Sequence, residues 1–133
     1  MKSTLARTIV LRTGLAATLA ASGYIHAQLY ITGYRYIHVI GVMFLLQASA
    51  SFAIAALLLI GDSLLIRLAA AGTAAGALGG FAVSRTTGVF GFVERGLQPS
   101  PQSLISILVE TATLLLLAPA LIRTLRRPRT ARA

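Results

Sequence analysis

Few side chains in this sequence can do chemistry. Three residues are acidic, two are histidines and none is a cysteine. Glu110 stands apart, because it lies inside the apolar run Leu104–Ile122. A carboxylate in hydrocarbon needs a partner, a proton or water. Ser103, Ser106, Glu110 and Thr113 follow spacings of 3, 4 and 3, which places them on one helix face. Gly14, Thr18, Ser22 and His26 recur at i+4 in an earlier apolar run and form a second stripe. A histidine facing an intramembrane glutamate can orient or exchange a proton. Arg85, at the end of a third run, is long enough to reach inward and hold an anionic group. His26, Arg85 and Glu110 are therefore the central candidates, with His38, Gln47 and Tyr24 around them. Glu110 is expected to pair with Arg85 or His26.

The chemistry open to this set is binding rather than catalysis. No Ser-His-Asp set is brought together by periodicity, and there is no HExxH, P-loop or carboxylate pair. Without cysteine there is no disulfide or thiolate ligand. The spacing of the two histidines and Glu110 favours no metal, so no metal site is assigned. The cofactor is left open. One geometry to test is a b-type haem held axially by His26 and His38 on adjacent helices.

The elements that must position these residues are membrane spans. The chain has 133 residues, 56% of them hydrophobic and 11% charged, against about 25% charged in a typical soluble domain. A soluble protein of this size could not bury so much apolar surface. A spanning helix needs about 20 apolar residues, and four such runs fit: 9–31, 37–60, 64–83 and 104–122. The expected fold is a single all-α domain over residues 1–133, a polytopic four-helix membrane bundle. A basic start followed by Gly14–Ala21 and small residues also has the outline of a signal peptide; its removal would leave three spans.

The net charge of +9 does not indicate nucleic-acid binding, because the basic residues flank apolar runs. Arg123, Arg126, Arg127, Arg129 and Arg132 form a tail over 123–133, suited to anionic lipid headgroups. With both termini in the cytoplasm, that side holds Lys2, Arg7, Arg12, Arg67 and the five tail arginines, and the other holds Arg35, Arg85 and Arg95. The positive-inside rule selects that orientation. Arginine in place of lysine and abundant alanine fit a high-GC bacterial genome, so the expected location is a bacterial plasma membrane.

The connections carry their own signals. Tyr30, Tyr34 and Tyr36 cluster around the first and read as an aromatic belt. The second, Gly61–Ser63, is short enough to make its helices antiparallel neighbours. Gly72, Gly76 and Gly80 form a GxxxGxxxG ridge for close helix packing, within the bundle or across a homodimer, with the intramolecular seam favoured. The long outer connection, 84–103, is broken by glycine and proline and partly apolar. It is expected to lie on the membrane surface or cap the bundle.

Three segments carry a resemblance: Ala21-Ser22-Gly23-Tyr24-Ile25-His26, then Ser84-Arg85-Thr86-Thr87-Gly88-Val89-Phe90-Gly91, then Ser103 to Glu110. Together they resemble a family of small four-helix integral membrane proteins of actinobacteria. Its pattern has G-x-x-H in helix one, S-R-x-x-G-L-P-G after helix three, and S-L-x-x-E in helix four. Val89 and Phe90 here replace the Leu-Pro. The resemblance implies His26, Arg85 and Glu110 as the site positions. The wider layout resembles the DoxX-like superfamily, some members of which are linked to quinone or redox chemistry. The functional expectation is a non-enzymatic membrane protein with an outward-facing polar pocket for a small molecule or lipid headgroup, or an accessory subunit docking a larger membrane partner. The alternative is a redox- or quinone-linked subunit.

Overall fold

The amino-terminal residues include no proline and no glycine before Gly14, so nothing interrupts a helix there. In the computed structural model, which describes residues 1–126, α1 accordingly runs Lys2–Thr32, starting well before the expected Ile9. Gly33 ends it, and Tyr34–Tyr36 form one 3₁₀ turn. That turn and Val39, whose φ of 65° is left-handed, delay α2 to Ile40–Ile60 rather than Ile37. Gly41 makes the turn possible, since a Cβ there would lie 2.8 Å from the Tyr34 carbonyl oxygen. Ser63 caps α3, Leu64–Ser84, by accepting from the Ile66 amide at 3.3 Å. α4 runs Gln102–Arg126, carrying the helix past Ile122 into the first tail arginines. Arg127, Arg129 and Arg132 lie outside the described residues.

All four helices are long and apolar enough to cross a membrane, and among the described residues there is no strand. The protein is a four-helix membrane bundle. α1 packs most extensively against α2 and also against α4; α4 lies between α1 and α3, and α3 is the least buried helix. The tightest core, Leu15, Leu19, Leu58 and Leu117, lies in the half nearer the termini. Lipid is as apolar as leucine, so shape fit and interhelical hydrogen bonds hold these helices rather than a hydrophobic drive.

The polar stripes of α1 and α4 meet as their spacing requires. The Thr18 and Thr113 hydroxyls are 2.7 Å apart, and Ser22 donates to Glu110 at 3.0 Å. At the terminal end, Arg12 donates to the carbonyls of Leu58 and Leu59, both at 2.8 Å. It closes the carboxyl end of α2, whose last carbonyls have no helical donors. At the other end the 85–101 connection folds back over the bundle. Val89 and Phe92 exchange two backbone hydrogen bonds of 2.9 Å around Phe90 and Gly91, both at positive φ, the geometry of a type I′ turn.

Candidate functional site

Beneath the folded connection lies a cavity of about 130 Å³, walled by all four helices and closed by Phe92, Glu94 and Pro99. Its volume is close to that of an engineered ~150 Å³ cavity that takes up benzene. His26, Gln47, Arg85 and Glu110 all line it. Tyr24 and His38 do not. Tyr24 is 63% exposed on the outer face of α1, and His38 lies exposed in the turn before α2. A haem held by His26 and His38 therefore has no support here, because the second ring does not reach the cavity.

Glu110 is 2% exposed. Its partners are neither Arg85 nor His26, contrary to expectation. Ser22 and Ser106 both donate to Oε1, at 3.0 and 2.8 Å. The second oxygen, Oε2, accepts no hydrogen bond from the described residues. Yet Ser51 Oγ is the one side-chain polar atom among them that is fully buried without a partner, so Oε2 keeps access to the cavity. Ser106 sits one helical turn before Glu110, and Ser22 meets it because the α1 and α4 stripes are in register.

His26 is fixed by its own helix. Nδ1 lies 2.9 Å from the Ser22 carbonyl, which can only accept, so Nδ1 carries the hydrogen. In the neutral ring Nε2 is then a bare acceptor, and it has no partner among the described residues. The ring packs against Phe44 with centroids 5.2 Å apart. Gln47 donates to the Thr73 carbonyl at 3.1 Å, tying α2 to α3 beside the cavity.

Arg85 is committed to the connection rather than to the cavity's recognition chemistry. It forms an ion pair with Glu94 at 2.9 Å and donates to the carbonyls of Gly96 and Gln98 and to Ser84 Oγ. Its guanidinium also lies 3.9 Å from the Phe81 ring centroid. An intramembrane Arg85–Glu110 pair was expected because depth was read from helix positions alone. Glu94 outcompetes Glu110, because the connection turns back and the Glu94 amide bonds the Ser84 carbonyl at 3.0 Å, setting its side chain beside Arg85.

Tyr34 corrects another expectation. It is not merely an interfacial anchor: its hydroxyl donates to Glu94, and its ring stacks on Phe44 with centroids 4.4 Å apart. Burial raises its phenol above the ordinary range; the hydrogen bond and the charge of Glu94 add to this, and Arg85 opposes it. Tyr34, Glu94 and Arg85 thus form one chain joining the 3₁₀ turn, the connection and α3. The signal available in the sequence was the excess of aromatics in both connections, which the belt reading absorbed.

The glycine ridge is not an internal seam. A Cβ built on Gly72, Gly76 or Gly80 would meet nothing within 4 Å. Gly76 and Gly80 line the cavity, so their lack of side chains leaves space rather than close packing. Among the described residues no cluster of three His, Cys, Asp or Glu side chains offers a metal site. The chain matches no protein-family model, no curated protein and no solved structure.

Proposed function

We propose that the cavity under the connection binds one small molecule or lipid headgroup, neutral or cationic, that donates hydrogen bonds to Glu110 and His26. The observation that carries this reading is the pair of unpartnered acceptors, Glu110 Oε2 and His26 Nε2, on the wall of one cavity. A neutral His26 calls for a donor on the ligand, and so does Glu110 while its Oε2 carries no proton. An anionic ligand is disfavoured, because Arg85 is already neutralised by Glu94. The cavity volume and the aromatic walls of Tyr34, Phe44 and Phe92 suit a group about the size of one ring.

A hydroquinone meets the same requirement with two ring hydroxyls. The aromatic walls beside two proton-accepting groups keep this redox-linked alternative, the one implied by the DoxX-like layout, as the second reading. In either reading the protein sits in a bacterial plasma membrane with its termini cytoplasmic and this cavity in the outer half; the distribution of basic residues supports the orientation, and the arginine- and alanine-rich composition supports the bacterial origin. An accessory role beside a larger membrane protein fits the same placement, with the exposed face of α3 free to receive it.

The test is native mass spectrometry and absorption spectroscopy of mildly extracted wild type and Glu110→Gln. Wild type is expected to carry a small adduct that the variant loses, and a quinone is recognised by its mass and spectrum. An adduct-free, equally folded protein in both samples would reduce Glu110 to a packing residue.

A further inference from the structure

A second cavity, of about 780 Å³, opens at the opposite end of the bundle, between the start of α1 and the end of α4. Arg7 and Arg123 line it together with Leu11, Leu115 and Leu116, which give it an apolar side. Arg67 also reaches it but is engaged by Asp62 at 2.5 Å. Among the described residues Arg123 uses only Nε, donating to the Pro119 carbonyl at 3.1 Å. Arg7 makes no hydrogen bond or ion pair among the described residues. Two cationic side chains thus face an apolar crevice with donors to spare.

The level of this crevice is set by helix lengths. α1 has 31 residues and α2 has 21, so α1 is roughly 46 Å long at about 1.5 Å per residue, well beyond a hydrocarbon core of about 30 Å. Arg12 is level with the end of α2, whose carbonyls it closes. Arg7 lies about 7 Å further out along the helix, at headgroup height, while Leu11 stays at the hydrocarbon edge. The contacts Gly14–Leu116, Thr18–Thr113 and Ser22–Glu110 set an antiparallel register. Carried outward, that register brings Arg7 level with Arg123.

We infer that this crevice is a binding site for an anionic glycerophospholipid, with its phosphate between Arg7 and Arg123 and an acyl chain along Leu11, Leu115 and Leu116. A phosphate suits the fork of a guanidinium, and basic pockets between helices at the cytoplasmic face are suited to anionic lipids. Pro119 adds a polar element. Lacking an N–H, it leaves the Leu115 carbonyl on the crevice wall without its helical donor. A headgroup hydroxyl, as in phosphatidylglycerol, can supply that donor. A free phosphate ester would use the arginines and leave the apolar side empty.

The experiment titrates the full chain in zwitterionic detergent with phosphatidylglycerol, phosphatidylcholine or soluble glycerol phosphate, counting bound molecules by native mass spectrometry. Phosphatidylglycerol is expected to bind as one resolved adduct, and Arg7→Gln/Arg123→Gln to weaken it by roughly tenfold or more. Lys2→Gln/Arg126→Gln removes the same charge at the same end but outside the crevice, and is expected to keep the adduct. Ala6→Trp retains both arginines and fills the crevice; it is expected to lose the adduct, and serves if the arginine pair does not fold. Equal losses in the crevice and control pairs, equal binding of phosphatidylcholine, or equal binding of glycerol phosphate would each overturn the site.

Discussion

Ser22 on α1 donates its hydroxyl to Oε1 of Glu110 on α4 across 3.0 Å, and Ser106 donates to the same oxygen from within α4. One carboxylate oxygen is therefore used to join helices, and the other is left for the cavity. The division separates the two roles of this residue experimentally. Glu110→Gln keeps an oxygen acceptor for both serines and is expected to unfold within about 1 kcal/mol of wild type, while the amide it puts into the cavity abolishes binding of a hydrogen-bond donor. Glu110→Leu strands both hydroxyls and is expected to cost about 1–3 kcal/mol. Unfolding in detergent and adduct counting on the same samples check both.

Thr18 and Thr113 extend that seam toward the termini. A double-mutant cycle with Thr18→Ala and Thr113→Ala should give a coupling near 0.6 kcal/mol, the average for interhelical hydrogen bonds in a membrane bundle. The observable is unfolding free energy in mixed micelles. Strict additivity would show that the 2.7 Å contact carries no net energy.

Arg85→Gln should loosen the connection and leave the core intact. The variant loses the pair with Glu94 and donors to two carbonyls, and hydrogen bonds of charged groups contribute about 1.5–3 kcal/mol each. Amide exchange over 88–98 is expected to accelerate by roughly tenfold to a hundredfold. Exchange around Leu15, Leu58 and Leu117 should not change.

The raised Tyr34 phenol gives the connection an alkaline limit. A group whose folded pKa exceeds its unfolded value contributes stability that is fully present below the unfolded value, about 10 for tyrosine. It is lost as pH rises through the folded value, above that. Exchange protection of the connection should therefore hold at neutral pH and fall above about pH 10. Tyr34→Phe should remove this alkaline step.

Gly72→Ala should stabilise the protein. Its added Cβ meets nothing within 4 Å, and alanine gains about 0.8–1.0 kcal/mol over glycine within a helix. Thermal unfolding and oligomer mass in detergent are the readouts. A destabilised variant with altered mass would reveal a partner packed on the ridge.

The span assignment was legible because it rests on bulk properties: four apolar runs need no detailed geometry. The polar stripes were legible too, since helical spacing put Ser22 and Ser106 on the faces that bear His26 and Glu110. What was not legible depends on the path of the chain between spans. The Arg85–Glu94 pair exists because the connection turns back on itself, and periodicity carries no information about a non-helical segment. Tyr34 and His38 illustrate the same limit, since a 3₁₀ turn and the left-handed Val39 decide which ring faces the cavity. The glycine ridge misled for a different reason: GxxxG permits close packing but does not require it, and here two of its glycines leave a cavity wall thin.

That thin wall has a consequence for access. The connection is lashed to α3 by Arg85 and to the 3₁₀ turn by Tyr34, whereas α3 packs more sparsely than the other helices and presents Gly76 and Gly80 to the cavity. The path of least resistance is then sideways, past bare backbone, from the bilayer rather than down from the water. On the proposed reading, a ligand arriving that way would be sorted twice, first by partition into lipid and then by the acceptors on the cavity wall. Its working concentration would then be set by the membrane and not by the surrounding solution.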